Sequence, residues 1–300
     1  MKTSLIVGMG IGKLYEQVLN ELSYGIITVD LDPTKSADFL SVEDAIAECR
    51  LFDTAHICTP NFTHLDIARK LAPVTGIIFV EKPGVSTASE WEQLINDFPN
   101  TRFMMVKNNQ YRNEIKHFKE LADQSDKVYL RWNNVNRIPY PGSWFTTKEK
   151  AFGGVSRDLL PHLLSYYCTL TDYKQGTKIK ATAKQSFTLD EIDSTDYGTV
   201  NKDGTYDVDD FCYLEFTNDN TTWILSASWK VAVPKDDSSI AFSSATSAVR
   251  HELGLCPEGA YKKMIETAVE NKFNDEFWQK QFEQDMWIHQ QMEELCVQES

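Results

Sequence analysis

Leu5-Ile6-Val7-Gly8-Met9-Gly10-Ile11-Gly12-Lys13 decides the fold. Three consecutive apolar residues read as a buried strand, the glycines as a tight turn. Tyr15, Val18, Leu19 and Leu22 then recur at helical spacing. In this strand–turn–helix context a glycine loop has chemical meaning. Backbone amides at a helix N-terminus can face a pyrophosphate only if no side chain blocks the approach. Gly8, Gly10, Ile11 and Gly12 are the candidate loop positions. Asp30 ends the next strand, 30 − 8 = 22 positions after the first glycine. A carboxylate there can accept hydrogen bonds from an adenosine ribose. A strict G-x-G-x-x-G asks for glycine at 13, where Lys13 stands. Either the turn is one residue shorter, with Gly12 packing helix against strand, or the phosphate site is degraded or absent.

Outward from this loop the rhythm repeats. Apolar runs at Ile26–Val29, Thr54–Cys58, Ile77–Val80 and Phe103–Val106 read as strands. Between and after them, helical stripes run through Val42–Cys49, His64–Leu71, Ala88–Ile95 and Ile115–Ala122. Alternation of this kind predicts a parallel sheet covered by helices on both faces. Beyond about residue 123 the pattern changes. Tyr129–Asn133 reads as a strand, Arg137–Lys150 as a Pro-, Gly- and aromatic-rich loop, and Ser156–Leu170 as one helix. Trp223, Leu225, Ala227 and Trp229 alternate with more polar residues after an Asn218-Asp219-Asn220 turn, the mark of an antiparallel pair with unlike faces. Glu258–Cys296 reads as two helices. The expectation is an α/β chain: an N-terminal Rossmann domain with a parallel sheet at 1–123, then an α/β domain with an open, mostly antiparallel sheet at 124–300.

Forty-four acidic against 30 basic side chains leave a net charge of −14. Such a surface repels phosphate backbones and anionic lipid, which argues against nucleic acid and membrane as partners. A local basic pocket for an anionic small molecule stays compatible with it. Lys2 is followed by too few apolar residues for a secretory leader. The six scattered cysteines therefore read as reduced thiols in a cytoplasmic protein. His56, Cys58 and His64 match no standard metal spacing, so no metal is expected.

Two further stretches carry a resemblance. Cys58-Thr59-Pro60-Asn61-Phe62-Thr63-His64 is followed by Glu81-Lys82-Pro83, and Gly153-Gly154-Val155-Ser156-Arg157-Asp158-Leu159-Leu160-Pro161-His162 comes later. With the glycine loop, in this order, they resemble the Gfo/Idh/MocA family of nicotinamide-dependent oxidoreductases. The resemblance implies NAD, with NADP as the alternative, and hydride transfer at a hydroxyl carbon of a sugar, inositol or sugar nucleotide. It implies Lys82, Asp158 and His162 as catalytic residues. It also implies cofactor contacts at Thr59, Pro60, Asn61, His64, Glu81 and Lys82, and a homodimer or homotetramer.

Asp158 and His162 are four apart, which on a continuous helix puts them on one face. Imidazole titrates where a hydroxyl proton must be taken or returned. Lys82 follows a parallel strand directly, at the sheet edge where ligands sit, and can steady alkoxide character. The alternatives are an inconsequential surface Asp–His pair and an ordinary surface lysine. His64 shares its row with Ile67, Ala68 and Leu71 and reads first as a core-facing, hydrogen-bonded histidine. Arg137 and Trp144, in the loop before the Asp158 helix, are candidates to grip or stack on a sugar. The aromatics Phe277, Trp278, Phe282 and Trp287 read as packing or a subunit contact. A non-catalytic nicotinamide- or sugar-sensing protein on the same fold is the rival function.

Overall fold

The computed structural model describes residues 2–173, 175–232 and 234–297. The chain divides into two compact units, Met1–Tyr111 with Pro257–His289, and Arg112–Cys256 with Gln290–Ser300. The sequence suggests one linear division at 123/124. The contacts instead bring most of the C-terminal helical segment into the first unit.

In the first unit β1 (Thr3–Val7), α1 (Gly12–Glu21), β2 (Gly25–Val29), α2 (Val42–Cys49), β3 (Phe52–Ile57), α3 (His64–Leu71), β4 (Thr75–Val80), α4 (Ala88–Asp97) and β5 (Arg102–Met105) alternate strictly. The five strands are parallel, in the order β2-β1-β3-β4-β5. Leu5, Ile6, Ile77, Ile78 and Phe79 are fully buried, as strands covered on both faces require. Each such side chain contributes about 1.5–3 kcal/mol by leaving water. Local signals set the helix starts: Ser41 Oγ accepts from Asp44 N at 3.1 Å, and Thr87 and Glu90 form a reciprocal capping box. The order reverses between β1 and β3. At their carboxyl ends lies the crevice where open α/β sheets take ligands.

The second unit holds α5 (Ile115–Ala122), β6 (Lys127–Asn133), α6 (Lys148–Ala151), α7 (Val155–Asp158), α8 (Leu160–Leu170), β7 (Thr177–Lys184), β8 (Phe211–Asn218), β9 (Thr221–Ser228), β10 (Asp237–Ser243) and β11 (Ala248–Glu252). Its six-stranded sheet runs β11-β10-β6-β9-β8-β7, antiparallel except for the β6–β9 pair. One face is core. Phe216 stands opposite Trp223, Leu214 opposite Leu225 and Cys212 opposite Ala227, all buried. The Tyr167 ring of α8 packs 5.2 Å from both Phe216 and Trp223. The other face, with Tyr129, Arg131, Tyr213, Glu215 and Ile224, is only half-buried.

The helix expected over Ser156–Leu170 is two helices, α7 and α8, meeting at Leu159. Pro161 explains the break. It has no N–H to continue the ladder, and its ring belongs in a helix's first turn. His162 N instead makes a short-range bond to Leu159 O at 3.1 Å. Asp158 thus ends α7 while His162 lies on α8, and the geometry of one continuous helix does not put them on one face. The Arg137–Lys150 loop also contains α6 and a short 3₁₀ turn at Trp144–Thr146.

The C-terminal helices, α9 (Glu258–Glu270) and α10 (Asp275–Val297), supply cover for the first unit. Tyr261 meets Tyr15 edge-on at 5.5 Å. Trp278 and Trp287 are buried, the packing role the sequence suggests. Lys107 and Asp285 form an ion pair with both side chains essentially inaccessible. Asp285 Oδ2 also accepts from Met105 N at 3.1 Å, and Lys107 Nζ donates to Met105 O at 3.2 Å. Burial raises the Asp285 carboxyl, and Lys107 opposes that. His289 accepts from Val85 N at 3.3 Å through Nε2, so its proton sits on Nδ1, facing Asp285 O at 2.7 Å. No described helix is long and apolar enough to cross a membrane. Cys49, Cys58, Cys168, Cys212 and Cys256 are free; the Cys296 side chain lies outside the described residues.

Candidate active site

In the first unit the site is built around the end of β1. Gly8 has φ +93°, and a Cβ there would stand 2.7 Å from Cys58 O. A side chain is excluded both by the backbone angle and by the backbone just past β3. A Cβ on Gly12 would meet Ile6 Cγ2 at 2.8 Å, so Gly12 lets α1 pack onto β1. That is the shorter-turn reading of the loop, and Lys13 falls inside the helix, past the turn. Ile11 occupies the N-cap without a side-chain cap, and no acidic residue sits in the first turn. The positive end of α1 is therefore not neutralised by its own first turn.

Asp30 is held across the loop. Its Oδ2 accepts from Met9 N at 2.7 Å and its Oδ1 from Asp32 N at 2.9 Å. Each oxygen keeps a further lone pair for a hydroxyl.

The segments after β3 and β4 are tied together by His64. This fully buried ring lies 2.8 Å from Thr59 O through Nε2 and 2.7 Å from Gly84 O through Nδ1. Burial lowers its pKa, while the two carbonyls pull the other way. A neutral imidazole has one N–H, so one contact is a hydrogen bond and the other a close approach. This is the bonded core histidine that its apolar row suggests. Pro60 O accepts from Thr63 N at 2.9 Å, closing the turn that carries Thr59, Pro60 and Asn61. Glu81 receives Tyr15 OH at 2.7 Å on Oε1 and the amide of Lys82 at 3.3 Å on Oε2. Burial raises the Glu81 carboxyl, and burial together with Glu81 raises the Tyr15 phenol. Lys82 itself is half-buried at the carboxyl end of β4. A cleft of ≈ 270 Å³ lined by Lys2, Tyr24, Val269 and Glu270 lies at the opposite, amino-terminal ends of β1 and β2 and contains none of these residues.

In the second unit Asp209 holds the double-glycine segment. Its carboxylate accepts from Gly154 N (2.9 Å), Ser156 N (2.7 Å) and Ser156 Oγ (2.8 Å), all buried. Asp158 follows on α7, its Oδ2 receiving the indole N–H of Trp229 at 2.9 Å. His162 is half-buried, its ring 5.2 Å from that of Trp132 on β6. The backbone of Arg137 donates to Trp229 O at 2.7 Å, and its guanidinium lies over the Tyr197 ring at 4.5 Å. Trp144 stacks on Phe145 at 3.8 Å. Asp158, His162 and Arg137 are thus linked to the two tryptophans that end β6 and follow β9. Asp209, Trp132, Trp229 and the Tyr15–Glu81 bond were not anticipated. They lie 30 or more positions from the residues they support, beyond the reach of local spacing: Trp132 and His162 are 162 − 132 = 30 apart, Asp209 and Gly154 55. Among the described residues no group of three or more His, Cys, Asp or Glu is placed to hold a metal.

No protein-family profile matches the chain. A protein from Amycolatopsis mediterranei (strain S699), described as a UDP-kanosamine synthase oxidoreductase subunit, is 27% identical over 174 residues, 54% of this chain and 48% of its own length. The match thus spans about half of that relative. The structure of GenD2 from gentamicin A biosynthesis, in complex with NAD, superposes with a TM-score of 0.75 at 16% identity, covering 100% of this chain and 95% of that one. The WlbA dehydrogenase from Bordetella pertussis, in complex with NADH and UDP-GlcNAcA, gives 0.71 at 15% identity over 95% and 93% of the two chains. These likenesses show the fold: a five-stranded parallel sheet in one unit and a mostly antiparallel six-stranded sheet in the other.

Proposed function

We propose that the chain is an NAD-dependent oxidoreductase of the Gfo/Idh/MocA type, moving a hydride between nicotinamide and a hydroxyl-bearing carbon of a sugar, inositol or sugar nucleotide. The observation that carries this reading is the loop after β1. Gly8 has no room for a side chain, Gly12 packs on Ile6, and a Cβ on Gly10 would meet nothing within 4 Å. Such a cradle, opening on the uncapped start of α1 with Asp30 across it, fits a dinucleotide pyrophosphate and ribose. The NAD and NADH in the two structural neighbours support the same reading.

When bound, the nicotinamide supplies or accepts the hydride. The chain's own residues do the rest. His162 takes the hydroxyl proton as the substrate is oxidised and returns it on reduction. The Lys82 ammonium donates to the reacting oxygen and steadies its negative charge. Asp158, oriented by the Trp229 indole, binds a neighbouring hydroxyl or orients the imidazole. Arg137 and Trp144 contact the sugar. NADH fluorescence titration, followed by a panel of inositols, aldoses and sugar nucleotides read at the NADH absorbance, tests this. Tight NADH binding with no turnover across the panel would favour the sensor instead.

Cofactor choice rests on Asp30, whose charge repels a 2′-phosphate and accepts from a 2′-hydroxyl. NAD binds more tightly than NADP, and Asp30→Ala narrows the gap. Tighter NADP binding by the unaltered protein would refute this. The half-buried sheet face bearing Tyr129, Arg131, Tyr213 and Ile224 is the contact through which copies associate as a homodimer or homotetramer. Light scattering at micromolar concentration checks it, and a monomer ends the idea.

A further inference from the structure

We infer that Arg157 binds an oxyanion of the substrate, a carboxylate or phosphate carried by the sugar. This deepens the proposed function and rests on it. Arg157 lies on α7 directly before Asp158 and is only 4% exposed. Its Nε and Nη1 are buried without a hydrogen-bond partner among the described residues. A guanidinium keeps its charge at any physiological pH. Buried donors are nearly always satisfied, and buried charges are nearly always compensated.

The neighbouring side chains are committed elsewhere. Asp209 spends both oxygens on Gly154 and Ser156, and Asp158 takes the Trp229 indole. Gly153 leaves room for the arginine stem, since a Cβ there would stand 2.9 Å from Arg157 Cγ. The chain thus places a cation next in sequence to a candidate catalytic carboxylate and leaves two of its three nitrogens without acceptors among the described residues. A neutral hydroxyl or a water brings lone pairs without charge. A carboxylate or phosphate brings both, in the geometry that guanidinium favours. Because the molecule as a whole carries −14, long-range attraction does not gather anions here, and the preference is local. Asp210 is an internal rival. Asp210 Oδ1 is also buried without a partner, and an Arg157–Asp210 pair would satisfy both.

The test measures affinities of the NADH-loaded protein for D-glucuronate, glucose 1-phosphate and D-glucose at fixed ionic strength. One of the two anionic sugars binds about 10- to 100-fold more tightly than glucose. Which one it is separates carboxylate from phosphate. Arg157→Gln abolishes that preference while NADH affinity stays unchanged, and Arg157→Lys keeps part of it. Glucose matching both anions overturns the proposal. So does a Gln variant that keeps the preference, the result expected of an internal pair with Asp210. Should Arg157→Gln fail to fold, the Lys variant decides: a reduced preference supports the proposal and an unchanged one overturns it. Failure of the unaltered protein to bind NADH strikes the proposed function instead, and is read separately in the same titration.

Discussion

His162→Ala lowers turnover by about 10²–10⁴-fold, and Lys82→Met by about 10²–10³-fold, with NADH affinity little changed in either. The split follows from the roles. In the proposed roles both side chains would act on the proton and charge of the reacting oxygen, whereas the glycine loop and Asp30 would hold the dinucleotide. The two losses do not add in the double variant, because both groups serve one proton transfer. Asp158→Asn loses less, since it still offers an oxygen to the Trp229 indole. The rate of oxidation rises with pH as the imidazole gives up its proton, because only the neutral ring can take the hydroxyl proton. His162→Ala removes that limb of the profile. Steady-state kinetics alongside NADH fluorescence titrations provide the check, and near-normal turnover in both variants would remove the assigned roles while leaving the fold intact.

Asp285→Ala costs the first unit about 3–5 kcal/mol, read as a fall in the urea or thermal midpoint. The variant strands the buried Lys107 ammonium and frees the Met105 amide, which Asp285 also satisfies. Lys107→Met together with Asp285→Leu recovers most of the loss, since neither charge is then left alone. A single variant no less stable than the unaltered protein would show that water reaches the pair in solution.

The first unit is legible because its strands are buried on both faces. Leu5–Val7 and Ile77–Val80 write continuous apolar runs, and the stripes of α2 and α3 give both ends of each helix correctly. The second unit is legible only where one face is buried. β8 and β9 alternate cleanly; β7 and β11, at the sheet edges, are largely exposed and show no such pattern. The α7–α8 break is hidden because Leu159 keeps near-helical angles, so the leucine spacing runs on through it. Pro161 was the available clue. Local spacing also reads the glycine loop and places Lys82 at a strand end. The groups that hold Glu81, Asp158 and the Gly153–Gly154 turn come from distant segments, and no local period reports them.

The return of α9 and α10 to the first unit has a consequence for how the chain is made. A ribosome delivers all five strands of the parallel sheet before any of α9 or α10, yet Tyr15 waits for Tyr261, Trp91 for His289 and Lys107 for Asp285. Until then the nascent sheet lacks part of its cover, and the Lys107 ammonium has no counter-ion from Asp285. Vectorial folding, in which an N-terminal domain is finished before the next emerges, is closed to this topology. A fragment ending near residue 123 therefore exposes apolar surface and aggregates, whereas residues 1–111 joined by a short linker to 257–289 make a self-contained unit.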